Sequence, residues 1–182
     1  MALKATIYKI TLNISDTDHH RYLSQTLTVA QHPSETVQRV VVRLIAWALN
    51  AHEELTFTKG LCADDEPEIW RKHLHGDIAE WIEVGLPDER RLKKACNRAD
   101  QITLYTYGER NAALWWSQNE KNLMQHNNLS VIDIDDQSIQ PLVDALGRTA
   151  DWQVTIADQM VYISSDQVDI SFTPNVWKAI RE

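Results

Sequence analysis

Acidic residues stand on both sides of a predicted β-hairpin. Asp65, Glu66 and Glu68 lie at the start of its first strand, and Glu83 lies near the end of its second strand. His75-Gly76 predicts the turn between them, which places Glu68 across from Glu83. Cross-strand neighbours have Cβ atoms ~4.5–5.5 Å apart, so two carboxylates there repel each other unless a cation lies between them. Mg²⁺ and Mn²⁺ bind such oxygens, which makes this group a candidate metal site.

Glu35 is the third acid that the sequence offers to this site. Ser34 predicts a helix N-cap and puts Glu35 in the first turn of the helix, from which its carboxylate is expected to reach the same ion. A bound ion polarises a phosphoryl group and lowers the pKa of water, and a nearby lysine stabilises the negative charge that develops. The pattern therefore favours metal-assisted phosphodiester hydrolysis. The alternative is structural, with residues 64–66 forming a solvated turn and Glu35 only capping a helix.

Hydrophobic periodicity predicts the elements that must position these residues. The predicted strands cover residues 5–15, 22–30, 55–59, 68–73, 78–84, 102–107 and 129–134, followed by a C-terminal antiparallel meander of residues 154–156, 160–163 and 168–172. The predicted helices cover about residues 34–50, 87–99, 109–124 and 138–146.

The order helix–strand–strand–strand–helix–strand in the middle of the chain predicts an α/β fold. Such an order is typical of a mixed β-sheet flanked by helices. A length of 182 residues with five glycines and no Gly/Pro-rich linker favours a single domain, residues 1–182. We expect its core at about residues 34–135, with an N-terminal hairpin at 5–30 and C-terminal strands at 152–172.

The net charge of −8 restricts how the chain can bind nucleic acid. Phosphate binding needs a basic surface, because affinity comes from Lys and Arg displacing counterions. The only dense basic run is Arg90, Arg91, Lys93 and Lys94. These side chains either hold a phosphate backbone or form salt bridges with acidic residues of the chain. Nucleic acid is therefore a candidate partner only through a local patch.

Several classes of protein are disfavoured by what the sequence lacks. No apolar stretch reaches the ~18–20 residues that cross a bilayer, and the N-terminus alternates like a strand instead of resembling a signal peptide. Cys62 and Cys96 provide no disulfide framework and are expected to be buried thiols. There is no Cys/His spacing typical of zinc sites and no Gly-rich phosphate loop. We expect a cytoplasmic protein without a membrane partner.

Five segments of the chain carry a specific likeness. They cover residues 32–36, 58–61, 64–70, 81–95 and 115–116, and the longest reads Trp-Ile-Glu-Val-Gly-Leu-Pro-Asp-Glu-Arg-Arg-Leu-Lys-Lys-Ala. Together they resemble the bacterial YaeQ family over essentially the whole chain. The resemblance implies a restriction-endonuclease-like core of the PD-(D/E)XK type, and it implies a fold more than a particular reaction.

The PD-(D/E)XK pattern is met only in part. Its first acid matches Glu68, or Asp65 or Glu66 if the strand starts earlier, and its second acid matches Glu83. The lysine that should follow two positions later is replaced by Gly85.

The resemblance implies that a lysine from the following helix can take that role, either Lys93 or Lys94. Helical spacing favours Lys94, which lies one turn past Arg90 and two past Leu86. We therefore expect a Mg²⁺- or Mn²⁺-dependent nuclease or phosphodiesterase, with Arg90 and Arg91 as weak candidates for binding nucleic acid. Gly85 and the acidic net charge favour the alternative, a catalytically inactive nuclease-fold protein that acts as a binding or regulatory module. In that case the strands at 152–172 offer an edge to a protein partner.

Overall fold

The computed structural model describes residues 3–60 and 63–181. Its strands are β1 (Thr6–Asp16), β2 (Arg21–Gln31), β3 (Thr56–Phe57), β4 (Ile69–Lys72), β5 (Ile78–Val84), β6 (Ala99–Thr106), β7 (Leu129–Asp133), β8 (Thr149–Ala157), β9 (Met160–Ser164), β10 (Asp169–Phe172) and β11 (Asn175–Lys178). Its helices are α1 (Val37–Leu49), α2 (Glu89–Cys96), α3 (Arg110–Leu123) and α4 (Asp136–Ala145).

Residues 1–53 and 137–174 form the first of two compact units. Its strands lie in the order β10-β9-β8-β1-β2, with β1 antiparallel to β2 and parallel to β8. One face of this sheet is apolar because alternate residues of β1 are buried, among them Ile10, Leu12 and Ile14. Alternate residues of β8 are buried in the same way, including Trp152 and Val154.

Residues 54–136 and 175–182 form the second unit. Its strands lie in the order β11-β7-β6-β5-β4-β3, with β5, β6 and β7 parallel and β3, β4 and β5 antiparallel. The buried core of this unit includes Trp81 and Leu104 from the sheet, Leu92 from α2 and Leu123 from α3. This core is what fixes α2 beside the end of β5 that carries the acidic residues.

The fold is therefore α/β, with two mixed sheets and four helices over residues 3–60 and 63–181. The predicted mixed sheet is present in the second unit, and the predicted C-terminal antiparallel meander is formed by β8, β9 and β10. The sequence did not predict that this meander pairs with the N-terminal hairpin in a second mixed sheet. β8 pairs along β1, from Lys9↔Thr149 to Asp16↔Ile156, and so joins the tail to the N-terminal hairpin. Alternation along a strand shows that it has a buried face, but it does not identify which strand lies beside it.

The start of α1 also differs from the prediction. Thr36, and not Ser34, is the N-cap, and its hydroxyl accepts a hydrogen bond from the N–H of Arg39. The N–H of Glu35 donates to the carbonyl of His32 at 2.8 Å, so residues 32–35 form a turn before the helix. Glu35 therefore precedes α1 instead of lying in its first turn.

Two further expectations concern the cysteines and the membrane. Cys96 is half-buried against the core of the second unit, and burial raises the pKa of its thiol to about 11, which keeps it protonated and unreactive at neutral pH. Cys62 lies outside the described residues. No helix in the described ranges is long and apolar enough to cross a bilayer. A single domain of 182 residues stays a prediction.

Candidate functional site

Glu68 and Glu83 lie on neighbouring segments of the second unit. The antiparallel ladder between β4 and β5 begins with Ile69↔Ile82, and one more step of that register sets Glu68 across from Glu83. Glu68 itself stands just before β4, where the ladder becomes irregular: its N–H donates to the carbonyl of Ile82, the register partner of Ile69, at 3.1 Å, and its carbonyl accepts from the N–H of Thr58 at 3.0 Å. Both side chains are buried, at 4% and 3% exposure. The hairpin therefore brings two carboxyl groups together beneath the surface.

Three N–H groups surround one oxygen of Glu83. Trp81 Nε1 donates to Oε1 at 2.8 Å, and Arg91 places Nε and Nη2 at 3.0 and 2.9 Å from the same oxygen. Burial nevertheless raises the pKa of Glu83 above the usual carboxyl range; Arg91 and Trp81 oppose the rise, and the negative charge of Glu68 adds to it. The charge of Glu68 thus adds to the effect of burial on the pKa of Glu83, although Glu83 has an arginine partner.

Gly60 fits closely against Glu68. Its φ of +55° lies in the left-handed region that residues other than glycine rarely adopt. A Cβ atom built at this position would stand 2.8 Å from Glu68 Oε2, closer than two such atoms can approach. A side chain at this position would therefore strain the backbone and displace the Glu68 carboxylate. Leu61, the next residue, lies outside the described residues.

Basic side chains from α2 and just beyond it hold the acidic loop 63–66. Arg91 donates from Nη1 to the carbonyl of Asp64 at 3.0 Å and from Nη2 to that of Glu66 at 2.7 Å. Lys94 forms an ion pair with the Asp65 carboxylate and holds its pKa below the usual value. Arg98 donates to the carbonyl of Asp65 at 2.9 Å. Much of the basic run thus binds the chain's own acidic loop, which is one of the two roles that the sequence left open.

Glu35 belongs to the first unit and is bound there by two arginines. Arg39 Nη1 lies 3.0 Å from Oε1, and Arg43 donates from Nε to Oε1 at 2.8 Å and from Nη2 to Oε2 at 3.0 Å. The N–H of His32 donates to the same carboxylate at 3.2 Å. These contacts fasten the turn before α1 to the helix, which is a structural role the sequence analysis did not foresee.

The remaining predicted residues are on the surface. Arg90 and Lys93 are exposed on α2, and neither forms an ion pair with a described residue. Glu66 is half-buried, and its Oε2 lies 3.5 Å from the N–H of Lys59. Within residues 3–60 and 63–181, no three His, Cys, Asp or Glu side chains are grouped so as to hold a metal ion. Only Glu68 and Glu83, of the acids predicted as ligands, are brought together as a buried pair.

Sequence reasoning missed three residues that shape this pair. Trp81 lies two positions before Glu83 in β5 and hence on the same face of the strand, a relation that the period of two makes visible. Arg98 binds the acidic loop and lies over the Trp81 ring at 5.4 Å, a contact between distant segments. The need for Gly60 depends on its φ, which no local pattern in this segment predicts.

Comparison with known proteins identifies the family. The family model described as YaeQ protein matches residues 1–174. The chain belongs to the YaeQ family. The "Uncharacterized protein YaeQ" of Escherichia coli (strain K12) is 47% identical over 178 residues, which cover 98% of each protein. The protein of the same name from Salmonella typhi is 45% identical over the same length.

Solved YaeQ structures have the same fold. The crystal structure of YaeQ protein from Xanthomonas axonopodis pv. citri gives a TM-score of 0.94 at 40% identity and covers 97% of this chain and 99% of that one. The crystal structure of YaeQ protein from Pseudomonas syringae gives 0.92 at 31% identity and covers 98% of both chains. The fold described above is therefore shared with solved YaeQ proteins and is not peculiar to this sequence.

Proposed function

We propose that this family member is a divalent-metal-dependent phosphodiester hydrolase built on a PD-(D/E)XK-type core, with Glu68 and Glu83 at its centre. The observation that carries the proposal is the buried acid pair at the start of the β4–β5 hairpin. Burying a carboxylate is unfavourable, and burying two next to each other is more so, because like charges repel; here the charge of Glu68 adds to the raised pKa of Glu83. A divalent cation shared by both removes that repulsion.

The order of elements around the pair supports the same proposal. β3, β4 and β5 form an antiparallel meander, and α2 then connects β5 to the parallel strand β6. Glu68 and Glu83 stand on adjacent strands of this meander, where the PD-(D/E)XK pattern needs its two acids. Gly60, at φ +55°, leaves room for the Glu68 carboxylate at the edge of this site.

The residues present fit a hard cation that keeps most of its water. Mg²⁺ is commonly bound by only one or two carboxylates together with water and substrate phosphates. Glu68 and Glu83 would hold it, and when bound it would polarise a phosphoryl oxygen and acidify a water molecule. Asp65, Glu66 and Glu35 remain predicted ligands, although Asp65 and Glu35 are each engaged by basic side chains.

The chain's own side chains then have separable roles in this proposal. Trp81 and Arg91 fix the orientation of the Glu83 carboxylate through Oε1. Lys94, paired with Asp65 on the loop before Glu68, supplies the ammonium group that is missing at Gly85 and stabilises negative charge developing on the substrate. Lys93 is the alternative, since it is exposed on the same helix.

A second candidate function is a non-catalytic binding or regulatory module on the same core. Two specific observations favour it. Gly85 stands where the nuclease pattern requires a lysine. Arg91 already supplies a positive charge to Glu83, so this carboxylate has a partner before any cation binds.

Calorimetric titration with Mn²⁺ and a hydrolysis assay separate the two. We expect Mn²⁺ to bind at millimolar concentrations or below, and turnover of a nucleic-acid or bis(p-nitrophenyl) phosphate substrate to depend on it. Glu83→Gln and Glu68→Gln should lose both properties. The matched control is Glu80→Gln, which changes another acid of β5 that is paired with Arg71 at 2.9 Å and should leave both unaltered.

Each other result has a defined meaning. Absence of Mn²⁺ and Mg²⁺ binding at millimolar metal contradicts the hydrolase. Metal binding without turnover of any substrate favours the second function. Undiminished hydrolysis by Glu83→Gln assigns the activity to a contaminant.

A further inference from the structure

We propose that the outer edge of β2 is a self-association surface, on which β2 of a second copy of this chain pairs in antiparallel orientation. The proposal concerns the first unit only and does not depend on the proposed hydrolase function. It rests on four observations: the direction of the backbone groups, the closed ends of the edge, the contrast with the other sheet edges and the local charge.

β2 is the outermost strand of its sheet, and half of its backbone groups point away from β1. The N–H of Lys9 donates to the carbonyl of Arg148 beside β8. The backbone N–H and C=O groups of the odd residues of β1 therefore point toward β8, and those of its even residues point toward β2. In the register of β1 with β2, where Ile14 pairs with Leu23, the backbone N–H and C=O groups of the odd residues of β2 point toward β1. Its even residues therefore direct N–H and C=O outward, and these are Tyr22, Ser24, Thr26, Thr28 and Ala30.

The two ends of this edge are closed by contacts within the unit. The carbonyl of Ala30 accepts a hydrogen bond from Arg43 Nη2 at 2.9 Å. At the other end, Arg21 Nη1 donates to the carbonyl of Leu49 at 3.1 Å and so ties the strand to the end of α1. The open part of the edge thus runs over residues 22–28. Its outward-facing residues are all exposed and uncharged.

The other three sheet edges in the described residues have features that prevent pairing with another strand, and β2 lacks them. β3 has two residues, β10 has four and begins with Asp169, and β11 has four with a register shift between Val176 and Lys178. Short strands, inserted charges and bulges are the usual means of preventing edge-to-edge pairing. β2 has eleven residues in unbroken register, and it contains no proline, lysine or glycine. One edge of four is left able to pair.

The charge of β2 favours a second copy as the partner. Two copies that each carry a net charge of −8 repel each other, yet β2 contains no Asp or Glu and its only charge is Arg21. A two-fold axis at Gln25 sets Ser24 against Thr26 of the second copy and Tyr22 against Thr28, with no like charges opposed. Such a register forms about eight backbone hydrogen bonds, and hydroxyl and aromatic–β-branched pairs are favourable neighbours across strands.

A pair of double variants tests the register directly. In S24K/T26K, the two-fold axis sets lysine against lysine in two symmetric pairs; in S24K/T26E, it sets lysine against glutamate. Both variants lose the same two side-chain hydrogen bonds, one from Ser24 to Asn13 and one between Thr26 and Thr11. They therefore differ only in the charge at position 26. Thr155→Lys, on the interior strand β8, is the control for added charge outside the edge.

Sedimentation velocity of the full chain, with circular dichroism to confirm folding, gives the readout. We expect the wild-type chain, Thr155→Lys and S24K/T26E to dimerise, and S24K/T26K to bind its copy about tenfold or more weakly. A wild-type chain that stays monomeric over about a hundredfold range of concentration overturns the proposal. A dimer that persists equally in both double variants also overturns it, because the contact then lies elsewhere. A wild-type monomer that binds an extended peptide along β2 would replace the second copy with a different partner.

Discussion

Replacing Arg91 with methionine removes the positive charge beside Glu83 while keeping most of the side-chain length. The guanidinium makes two contacts to Glu83 Oε1, at 3.0 and 2.9 Å. It makes two more to the carbonyls of Asp64 and Glu66, at 3.0 and 2.7 Å. A single substitution therefore leaves a buried carboxylate without its arginine and releases the acidic loop from α2.

The size of the effect follows from burial. Removing one member of a buried ion pair costs about 3–5 kcal/mol, because the remaining charge is uncompensated. The Arg91 side chain is 28% exposed whereas that of Glu83 is 4% exposed, so solvent offsets part of this cost. We expect Arg91→Met to lower the free energy of unfolding by about 2–4 kcal/mol.

Urea unfolding monitored by tryptophan fluorescence measures this change, and a double-mutant cycle isolates its cause. If the cost comes from the unpaired Glu83 carboxylate, Glu83→Gln should restore about 1–2 kcal/mol in the Arg91→Met background. Arg71→Met is the matched control, since Arg71 pairs with Glu80 at 2.9 Å on the same hairpin but with Glu80 19% exposed. The control should cost no more than about 1 kcal/mol.

The pH dependence of the penalty gives an independent check. Burial raises the pKa of Glu83, so the folded protein binds this proton more tightly than the unfolded chain does. The stabilisation that Glu83 contributes is therefore complete at pH values below its pKa in the unfolded chain. It is lost as the pH rises through its pKa in the folded protein. Arg91→Met removes an effect that opposes the raised pKa, so its penalty should be larger at about pH 8 than at about pH 5. A penalty equal to that of Arg71→Met and independent of pH would refute this reasoning.

Two further substitutions test single features of the second unit. Gly60→Ala should lower the free energy of unfolding by about 1–2 kcal/mol through backbone strain, and further through the displacement of Glu68. In a Glu68→Ala background only the loss from strain should remain. Equal losses in both backgrounds would contradict the close contact. Lys178→Met should cost about 1–3 kcal/mol, because the buried Nζ donates to two backbone carbonyls. Burial lowers the pKa of Lys178 in the folded protein, so wild-type stability should rise with pH between the pKa of this lysine in the folded state and its pKa in the unfolded state. The rise should vanish in Lys178→Met. It should persist in the control Lys121→Met, which changes an exposed lysine of α3.

The elements that depend on local signals were predictable from the sequence. The alternation of Ile10, Leu12 and Ile14 with polar residues predicts β1 at residues 5–15, and the structure shifts both of its ends by one residue. Residues 78–84 were predicted as a strand with the bounds that β5 has. The turn at His75-Gly76 is present too, because the N–H of Gly76 donates to the carbonyl of His73 at 2.9 Å and Gly76 takes a positive φ. Strand periodicity and turn chemistry act over a few residues, which is why they can be recognised without the fold.

What the sequence did not predict depends on residues far apart in the chain. The pairing of β1 with β8 joins segments separated by more than a hundred positions, and either strand alone is compatible with several partners. The start of α1 was misplaced because the Glu35 carboxylate binds Arg43 two turns into the helix, and this contact holds the preceding residues in a turn. A salt bridge of Arg91 with an acid of the chain was one of two roles left open, but its specific partner Glu83 lies on another element and was not predicted.

The buried acid pair is difficult to explain by stability alone. A structural hairpin at this position is served better by two apolar residues, since replacing buried ion pairs with well-packed hydrophobic groups is often neutral or stabilising. The chain instead buries Glu68 and Glu83 together, keeps Gly60 in a left-handed conformation beside one of them and commits Arg91 to the other. The paired buried acids and the left-handed backbone each lower stability, Arg91 only offsets part of that cost, and all of them occur together at one end of one hairpin. A buried acid with a raised pKa beside a second buried acid is the kind of cluster found at functional sites, which is why we propose the chemistry here and not at the exposed acidic loop before it.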